Sequence, residues 1–224
     1  MATAKTSKSK QKMVDDTSII SLYMNDVLEL NEVPKNVFVF CKKHGIEEPD
    51  FYSFFGSMDS LKQAIWVKFF ENSVEAIEKE AAFEGYTDKN KLLALYFTLF
   101  EILTLNRSYV LYALKENQEG LKNLKSLKEF RSHFKAYIVS TIKSNPTEIL
   151  GKVAKVTDPV YAEGAWLQFL FLLKFWMDDN SKGFEKTDVL IEKSVNTVVD
   201  LLDTKPLESL FDLGKFLWKE KMPS

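Results

Sequence analysis

Apolar residues recur every three or four positions along most of this chain. That spacing places them on one face of an α-helix, whereas a half-buried β-strand would alternate apolar and polar residues. Short segments containing Gly, Pro, Asn or Ser separate the periodic stretches. None of those stretches alternates between turns as a strand does. The pattern therefore predicts an all-α protein.

Capping and helix-breaking residues divide the first third of the chain into four helices. Hydroxyl side chains cap helix N-termini, proline fits the first turn, and glycine adopts the left-handed conformation at a C-terminus. These signals stand at Thr17 or Ser18 for the first helix, at Pro34 and Gly45 for the second, at Glu47 to Pro49 for the third and at Ser57 for the fourth.

Six further periodic stretches predict the helices of the remaining chain. They cover residues 92–105, 109–114, 121–142, 158–179, 187–202 and 206–218. Asn145 and Pro146 form one break, and residues 180–183 form another loop. At the other end, residues 1–15 are polar and rich in Lys, which predicts a disordered basic tail.

Composition adds limits on what the protein does. The 224 residues are 46% apolar and carry a net charge of -2, with 30 basic against 32 acidic side chains. This balance does not indicate nucleic-acid binding, although it leaves room for a locally basic region. Cys41 is the one cysteine, so no intramolecular disulfide can form, and we expect a reducing, cytoplasmic location. The longest apolar stretch, residues 165–177, falls short of the roughly twenty residues that cross a membrane.

Residues 36–66 carry the most informative pattern: a helix, a glycine turn, a short aromatic helix, a Gly-Ser break and a long helix. A helix, a short turn and a second helix form the helix-turn-helix arrangement. The order of residues resembles the DNA-binding domain of the TetR family, and the matching positions are His44-Gly45-Ile46 at the turn, Tyr52 and Phe55 in the short helix, and Ser57 with Leu61 at the start of the next helix.

This resemblance implies a TetR-like, all-α homodimer. In the domain organisation that it implies, residues 1–15 form the tail, residues 16–56 a helix-turn-helix head, and residues 57–224 a helical domain for ligand binding and dimerisation. Such a protein would bind DNA through the head.

Five side chains of this region are candidates for contact with DNA. They are Lys42, Lys43, His44, Tyr52 and Lys62. The tyrosine matches one that contacts phosphate in the family, although Tyr52 could equally serve only to pack the head. Three carboxylates at the start of the short helix, Glu47, Glu48 and Asp50, oppose binding to a polyanion. Met58 stands where the family usually has a phosphate-contacting lysine.

No pattern in the sequence predicts an enzyme. There are two histidines, His44 and His133, and a single cysteine, too few for a Cys/His zinc site. Phosphate-binding glycine loops and nucleophile motifs are missing as well. We interpret Cys41 beside His44 as a core cysteine next to a turn, and we expect no catalytic residue, no metal and no cofactor.

Aromatic residues are abundant in the second half of the chain, and Phe alone numbers 18. Around residue 170 a helix is apolar on nearly all sides, so it must be covered on both. The resemblance implies that one side of this helix lines a ligand cavity and the other side contributes to a four-helix dimer interface. Plain core packing is the alternative. The candidate pocket residues are Phe97, Phe100, Tyr112, Phe134, Tyr137, Trp166 and Phe169. Their low polarity implies an apolar small molecule or a lipid as the ligand.

Residues 207–218 form the last predicted helix, which is amphipathic. Such a helix docks on its own protein or lies on a membrane surface. Two hypotheses for the function therefore stand. The chain is a ligand-responsive transcriptional regulator, or it is a TetR-fold lipid- or quinone-binding accessory protein that does not bind DNA. A positive head surface would favour the first and a neutral or negative one the second.

Overall fold

A computed structural model describes residues 14–115, 124–141 and 154–202 of the chain. Within these ranges the regular structure is helical, which confirms the all-α prediction. The helices are α1 (Asp16–Leu30), α2 (Val37–His44), α3 (Glu48–Phe54), α4 (Met58–Glu78), α5 (Asp88–Leu105), α6 (Arg107–Lys115), α7 (Lys128–Thr141), α8 (Ala154–Asp178) and α9 (Glu185–Leu202). Short 3-10 turns cover Phe83–Gly85, Leu124–Leu127 and Lys182–Phe184.

Side chains just before α1 and α2 set where these helices begin. Asp15 accepts a hydrogen bond from the backbone N–H of Ser18 at 2.7 Å, so the cap lies ahead of the predicted Thr17 or Ser18. Asn36 accepts from the backbone N–H of Val39 at 2.9 Å. The prediction that α2 begins at Pro34 was therefore wrong, because the asparagine cap lies after that proline.

The turn and the break of the helix-turn-helix pattern lie where the sequence predicts them. Gly45 has φ 64° and its backbone N–H reaches the carbonyl of Cys41, and this left-handed conformation is one that glycine adopts without strain. Ser57 caps α4 by accepting from the backbone N–H of Ser60 at 3.1 Å. The predicted caps at these two positions are confirmed.

The body is built from α4 to α9. Helix α4 packs against α5 and α7, α7 packs against α8, and α9 lies against both α5 and α8. The head, made of α1 to α3, meets the body where α1 packs against α6. No helix in the described part of the chain is long and apolar enough to span a membrane.

Several predicted boundaries in the body were displaced. Helix α5 begins at Asp88 because Thr87 accepts from the backbone N–H of Asn90 at 3.3 Å. Within the predicted helix 121–142, the described residues 124–141 form a 3-10 turn followed by α7, and α8 begins at Ala154, ahead of the predicted start at residue 158. The tail at residues 1–13, the predicted break at Asn145 and Pro146, and the predicted helix 206–218 lie outside the described residues.

Candidate functional site

A buried carboxylate binds two of the five candidate DNA-contacting residues. Asp26 of α1 is 3% exposed. One of its oxygens accepts from Lys43 Nζ at 2.6 Å, and the other lies 2.8 Å from His44 Nε2. Burial raises the pKa of Asp26, but the hydrogen bonds from Lys43 and His44 outweigh it and hold that pKa below its usual value. These contacts tie α1 to the C-terminal end of α2 and offset the positive charge of Lys43.

The other three candidates have different surroundings. Lys42 is exposed, with its Nζ 5.8 Å from the centroid of the Phe38 ring. Tyr52 is 50% exposed, and its hydroxyl donates to Glu48 at 3.5 Å. Burial and the neighbouring Glu48 charge raise the pKa of Tyr52. Lys62 lines a cavity between head and body, so the structure does not bring the five residues together.

Helix α3 presents acidic and aromatic side chains to solvent. Glu47 and Asp50 are exposed, as are Tyr52 and Phe54, and α3 contains no Lys or Arg. Carboxylates near a helix N-terminus interact favourably with the helix dipole, which gives these residues a structural role. Burial raises the pKa of Cys41, and the charges of the carboxylates at the start of α3 raise it further.

Four of the candidate pocket residues form a packed aromatic cluster. Phe100, Phe134, Trp166 and Phe169 are each at most 3% exposed. Ring centroids lie 5.2 Å apart for Trp166 and Phe169, 5.8 Å for Phe134 and Phe169, and 5.9 Å for Phe100 and Phe169. Edge-to-face and tilted contacts at such distances are those of a filled core.

The remaining pocket candidates are dispersed. Phe97 of α5 is 37% exposed. Tyr137 lines a groove of about 690 Å³ between α4 and α7, and burial raises its pKa to about 12. Tyr112 lines a different space, at the junction of head and body.

A partly open cavity, called the junction cavity below, lies where the head meets the body. It measures about 230 Å³ and lies between α1, α4, α6 and the 3-10 turn before α7. Its lining consists of Tyr23, Asp59, Lys62, Gln63, Trp66, Tyr109, Tyr112, Ala113, Lys125 and Ser126. Aromatic faces and cationic side chains together make it more polar than the pocket that the sequence predicts.

Arg107 connects the start of α6 to the end of α8, a contact that the sequence did not predict. Its guanidinium donates to the backbone carbonyls of Trp176, Met177 and Asp179 at 2.9, 3.2 and 3.2 Å. It also stacks 4.3 Å from the Trp176 ring centroid and 4.5 Å from that of Phe184. The first residue of α6 thus holds the end of α8 and the connection to α9, and charge-assisted bonds of this kind are among the stronger ones.

An apolar stripe runs along the outer face of α8. Leu167, Phe171 and Phe175 follow one another at intervals of four residues and are 59%, 56% and 37% exposed. Residues at that spacing share a helix face.

Among the described residues, no group of three or more His, Cys, Asp or Glu could hold a metal ion.

Comparison with known proteins gives the class to which this architecture belongs. Residues 91–217, more than half of the chain, match the family of the tetracyclin repressor-like C-terminal domain. The chain therefore belongs to the TetR family, as the resemblance in the head predicts, and the match supports a TetR-type regulator in general. Members of this family typically act as homodimers that bind DNA and small molecules. No curated protein matches the sequence significantly.

Proposed function

We propose that this protein is a ligand-responsive regulator of the TetR type, in which a small molecule bound in the body alters the position of the head. The junction cavity carries this proposal, because it lies between α1 of the head and α4 and α6 of the body. A ligand there would contact both parts at once. It would act by binding one arrangement of head and body more tightly than the other.

Helix α6 supports such a response because two residues of its first turn contact different parts of the molecule. Arg107 at its start holds the end of α8. Tyr109, two residues later, has its ring centroid 6.4 Å from that of Tyr23 in α1 and 6.4 Å from that of Phe69 in α4. A displacement of this short helix would therefore reach the head as well as the junction between α8 and α9.

The ligand of the proposed regulator is an apolar or aromatic small molecule, in which we include lipids. The rings of Trp66 and Tyr112 line the junction cavity together with Lys62 and Lys125, and Lys125 is paired with Asp59 of the same lining at 3.4 Å. Aromatic walls with a few polar groups are the usual lining of small-molecule sites. The packed cluster around Phe134 would accept a ligand only by rearranging its rings.

We also propose a homodimer formed through the apolar stripe of α8. Exposed apolar stripes of this kind mark interaction surfaces, and the family dimerises through its last two long helices. Phe171→Glu should convert the dimer to a monomer in light scattering after size exclusion. Val139→Glu, at a 41% exposed position of α7, is the matched control and should leave the dimer intact.

A second candidate is a TetR-fold lipid- or quinone-binding accessory protein that does not bind DNA. The acidic face of α3 favours it, because Glu47 and Asp50 would meet phosphates with like charge. The predicted amphipathic helix 207–218, which is outside the described residues, would supply a peripheral membrane contact in this candidate. We place either protein in the cytoplasm, since its one cysteine is free.

Direct DNA binding separates the two candidates. Fluorescence anisotropy with mixed genomic fragments should be measured at low and at moderate salt. Binding that weakens with salt and disappears when Lys42 and Tyr52 are changed to alanine would support the DNA-binding regulator. If nothing binds even at low salt, that candidate fails, and mass spectrometry of the lipid that co-purifies with the protein becomes the next measurement.

A further inference from the structure

We propose that the basic tail of this chain, residues 1–13, docks into the groove between α4 and α7. This groove, called the body groove below, has a volume of about 690 Å³. The proposal goes beyond the proposed function, because it concerns a surface of the body outside the junction cavity. Its occupant is a segment of the same protein and not a ligand.

The body groove combines apolar rings with an acidic side. The rings of Phe70 and Tyr137 line it, with their centroids 5.8 Å apart. Glu71, Glu75 and Glu78 of α4 line the same groove and are exposed. Because residues three and four apart share a helix face, these carboxylates form one stripe. Among the described residues of the lining, none is Lys or Arg.

Most of the charge on this stripe is not neutralised within the described part of the chain. Glu75 accepts a hydrogen bond from Lys79 at 2.7 Å, and both side chains are exposed. No ion pair joins Glu71 or Glu78 to another described residue. The groove therefore favours an occupant that carries several positive charges.

The tail joins the described chain beside the body groove. Asp16, the first residue of α1, lies with its Oδ2 3.7 Å from Lys68 Nζ of α4. Lys68 precedes Glu71 by three residues and Glu75 by seven, so the three side chains share a helix face. The hydrogen bond from Lys79 lowers the pKa of Glu75, and the charge of Lys68 lowers it further. The start of α1 is thus held at the turn of α4 that precedes the groove.

The tail has the charge and the length that the stripe requires. It contains four Lys and no Asp or Glu. Lys8, Lys10 and Lys12 alternate along it, and in an extended chain alternate residues project to one side about 7 Å apart. Along α4 the three carboxylates are separated by rises of about 6 and 4.5 Å, and the distance from Lys68 to Glu78 is about 15 Å. Thirteen extended residues span about 40 Å, so the lysines can reach the whole stripe.

Tethering favours this occupant over a separate partner. A segment that is joined to the chain next to its site has an effective concentration in the millimolar range. Exposed ion pairs, which are weak between separate molecules, then suffice to hold it. This is the reason for assigning the body groove to the chain's own tail.

The first test measures whether the tail competes with a free copy of itself. The probe is a fluorescent synthetic peptide of residues 1–13, used at an ionic strength of about 0.05 M so that screening is weak. It is titrated against the full-length protein and against a tail variant with Lys5→Gln, Lys8→Gln, Lys10→Gln and Lys12→Gln. The tail variant should bind the probe at least about tenfold more tightly, because its own tail no longer competes. Equal binding, or no binding to the tail variant, would overturn the proposal.

Further changes in the tail variant locate the binding surface. Glu71→Gln, Glu75→Gln and Glu78→Gln together should weaken probe binding about tenfold or more, since three ion pairs are lost. The matched control makes the same change of charge on α5 and α9, with Glu101→Gln, Glu185→Gln and Glu192→Gln. It should change binding less than about twofold. Circular dichroism checks that each variant keeps its helices. If the control weakens binding as much as the groove changes do, the body groove is not the site.

Cross-linking identifies the copy that supplies the tail. A carbodiimide joins a Lys amine to a Glu carboxylate that it contacts, and it is applied to an equal mixture of isotope-labelled and unlabelled full-length protein. Mass spectrometry should find lysines of the tail joined to Glu71, Glu75 or Glu78 of the same copy. Links that join labelled to unlabelled chains would assign the groove to the tail of a second copy and overturn the proposal. So would the absence of links between the tail and the groove.

Discussion

Aromatic residues occur in both the body and the head, but the structure uses them in opposite ways. Phe134 in the body is fully buried, and its ring contacts those of Phe70, Tyr96, Phe130, Trp166 and Phe169. In the head, Phe38 and Phe54 have about half of their surface in solvent. The same residue type therefore stabilises the fold in one region and remains available for contact in the other.

This difference shows what hydrophobic spacing can and cannot establish. Spacing identifies an apolar helix face, but the face can be covered by the same chain, by a ligand, by a second copy or by a partner. Helix α8 contains two such faces, since Trp166 and Phe169 are buried while Leu167 and Phe171 are exposed. Stability measurements can tell these uses apart, because only the internally packed rings should matter for folding.

The largest expected effect is that of Phe134→Ala. Removing a fully buried ring costs its transfer free energy and leaves a cavity, so the free energy of unfolding should fall by about 3–5 kcal/mol. Urea denaturation monitored by circular dichroism measures it. Val139→Ala, at an exposed position of the same helix, is the control and should stay within about 0.5 kcal/mol. A loss below about 1 kcal/mol for Phe134→Ala would mean that the cluster is not a filled core. That result would support the predicted apolar pocket around Phe134.

A second test concerns Arg107, which connects α6 to the end of α8. Arg107→Ala removes the hydrogen bonds to three carbonyls and the stacking on Trp176 and Phe184, and we expect a loss of about 2–3 kcal/mol. Its matched control is Arg131→Ala, which breaks an exposed ion pair with Glu163. That control should cost at most about 1 kcal/mol. Equal losses in the two variants would show that the contacts of Arg107 stabilise the fold no more than an exposed ion pair does.

Local signals in the sequence predicted the parts of the fold that depend on neighbouring residues. Gly45 and Ser57 lie where predicted because glycine conformation and hydroxyl capping act over a few residues. The start of α5 was displaced because the apolar pattern begins at Leu92, one turn after the cap that Thr87 provides. Periodicity marks the buried face of a helix and does not mark its polar first turn.

The contacts of the candidate site could not be predicted in this way. Lys43 and His44 resemble DNA-contacting residues in the sequence, but Asp26, the carboxylate that binds them, lies on a separate helix. Arg107 is about seventy residues from the carbonyls that it binds, and nothing in its local sequence indicates them. Such contacts exist only after the helices have packed together.

Two buried carboxylates, Asp26 of the head and Asp179 of the body, allow the two regions to be compared by acid titration. Asp26 in the head is paired with the ammonium group of Lys43 and contacts His44, whereas Asp179 in the body accepts from Ser181 and Thr187, which are neutral. Burial raises the pKa of Asp179, but the hydrogen bonds from these two residues lower it to about 2, from the usual 3.8. Because the folded-state pKa is depressed, the stabilisation is present above pH 3.8 and is lost as the pH falls toward 2.

Asp179→Asn should therefore destabilise the protein at neutral pH and flatten this part of its acid unfolding curve. Thermal unfolding between neutral pH and acid gives both quantities. Because Asp179 is buried and accepts its hydrogen bonds from neutral donors, we expect the effect to change little with salt. If Asp179→Asn leaves the pH dependence unchanged, the carboxylate does not have the depressed pKa that its contacts imply.

The smallest expected effect belongs to the exposed rings of the head. Phe38→Ser and Phe54→Ser each remove a side chain that is about half exposed and outside the packed contact of Phe40 with Phe51. Their unfolding free energies should stay within about 0.5 kcal/mol of the unmodified protein, measured by the same urea denaturation. Phe51→Ala, at a fully buried position of α3, is the matched comparison and should cost about 3 kcal/mol or more. A large loss at Phe38 or Phe54 would mean that these exposed rings also support the fold.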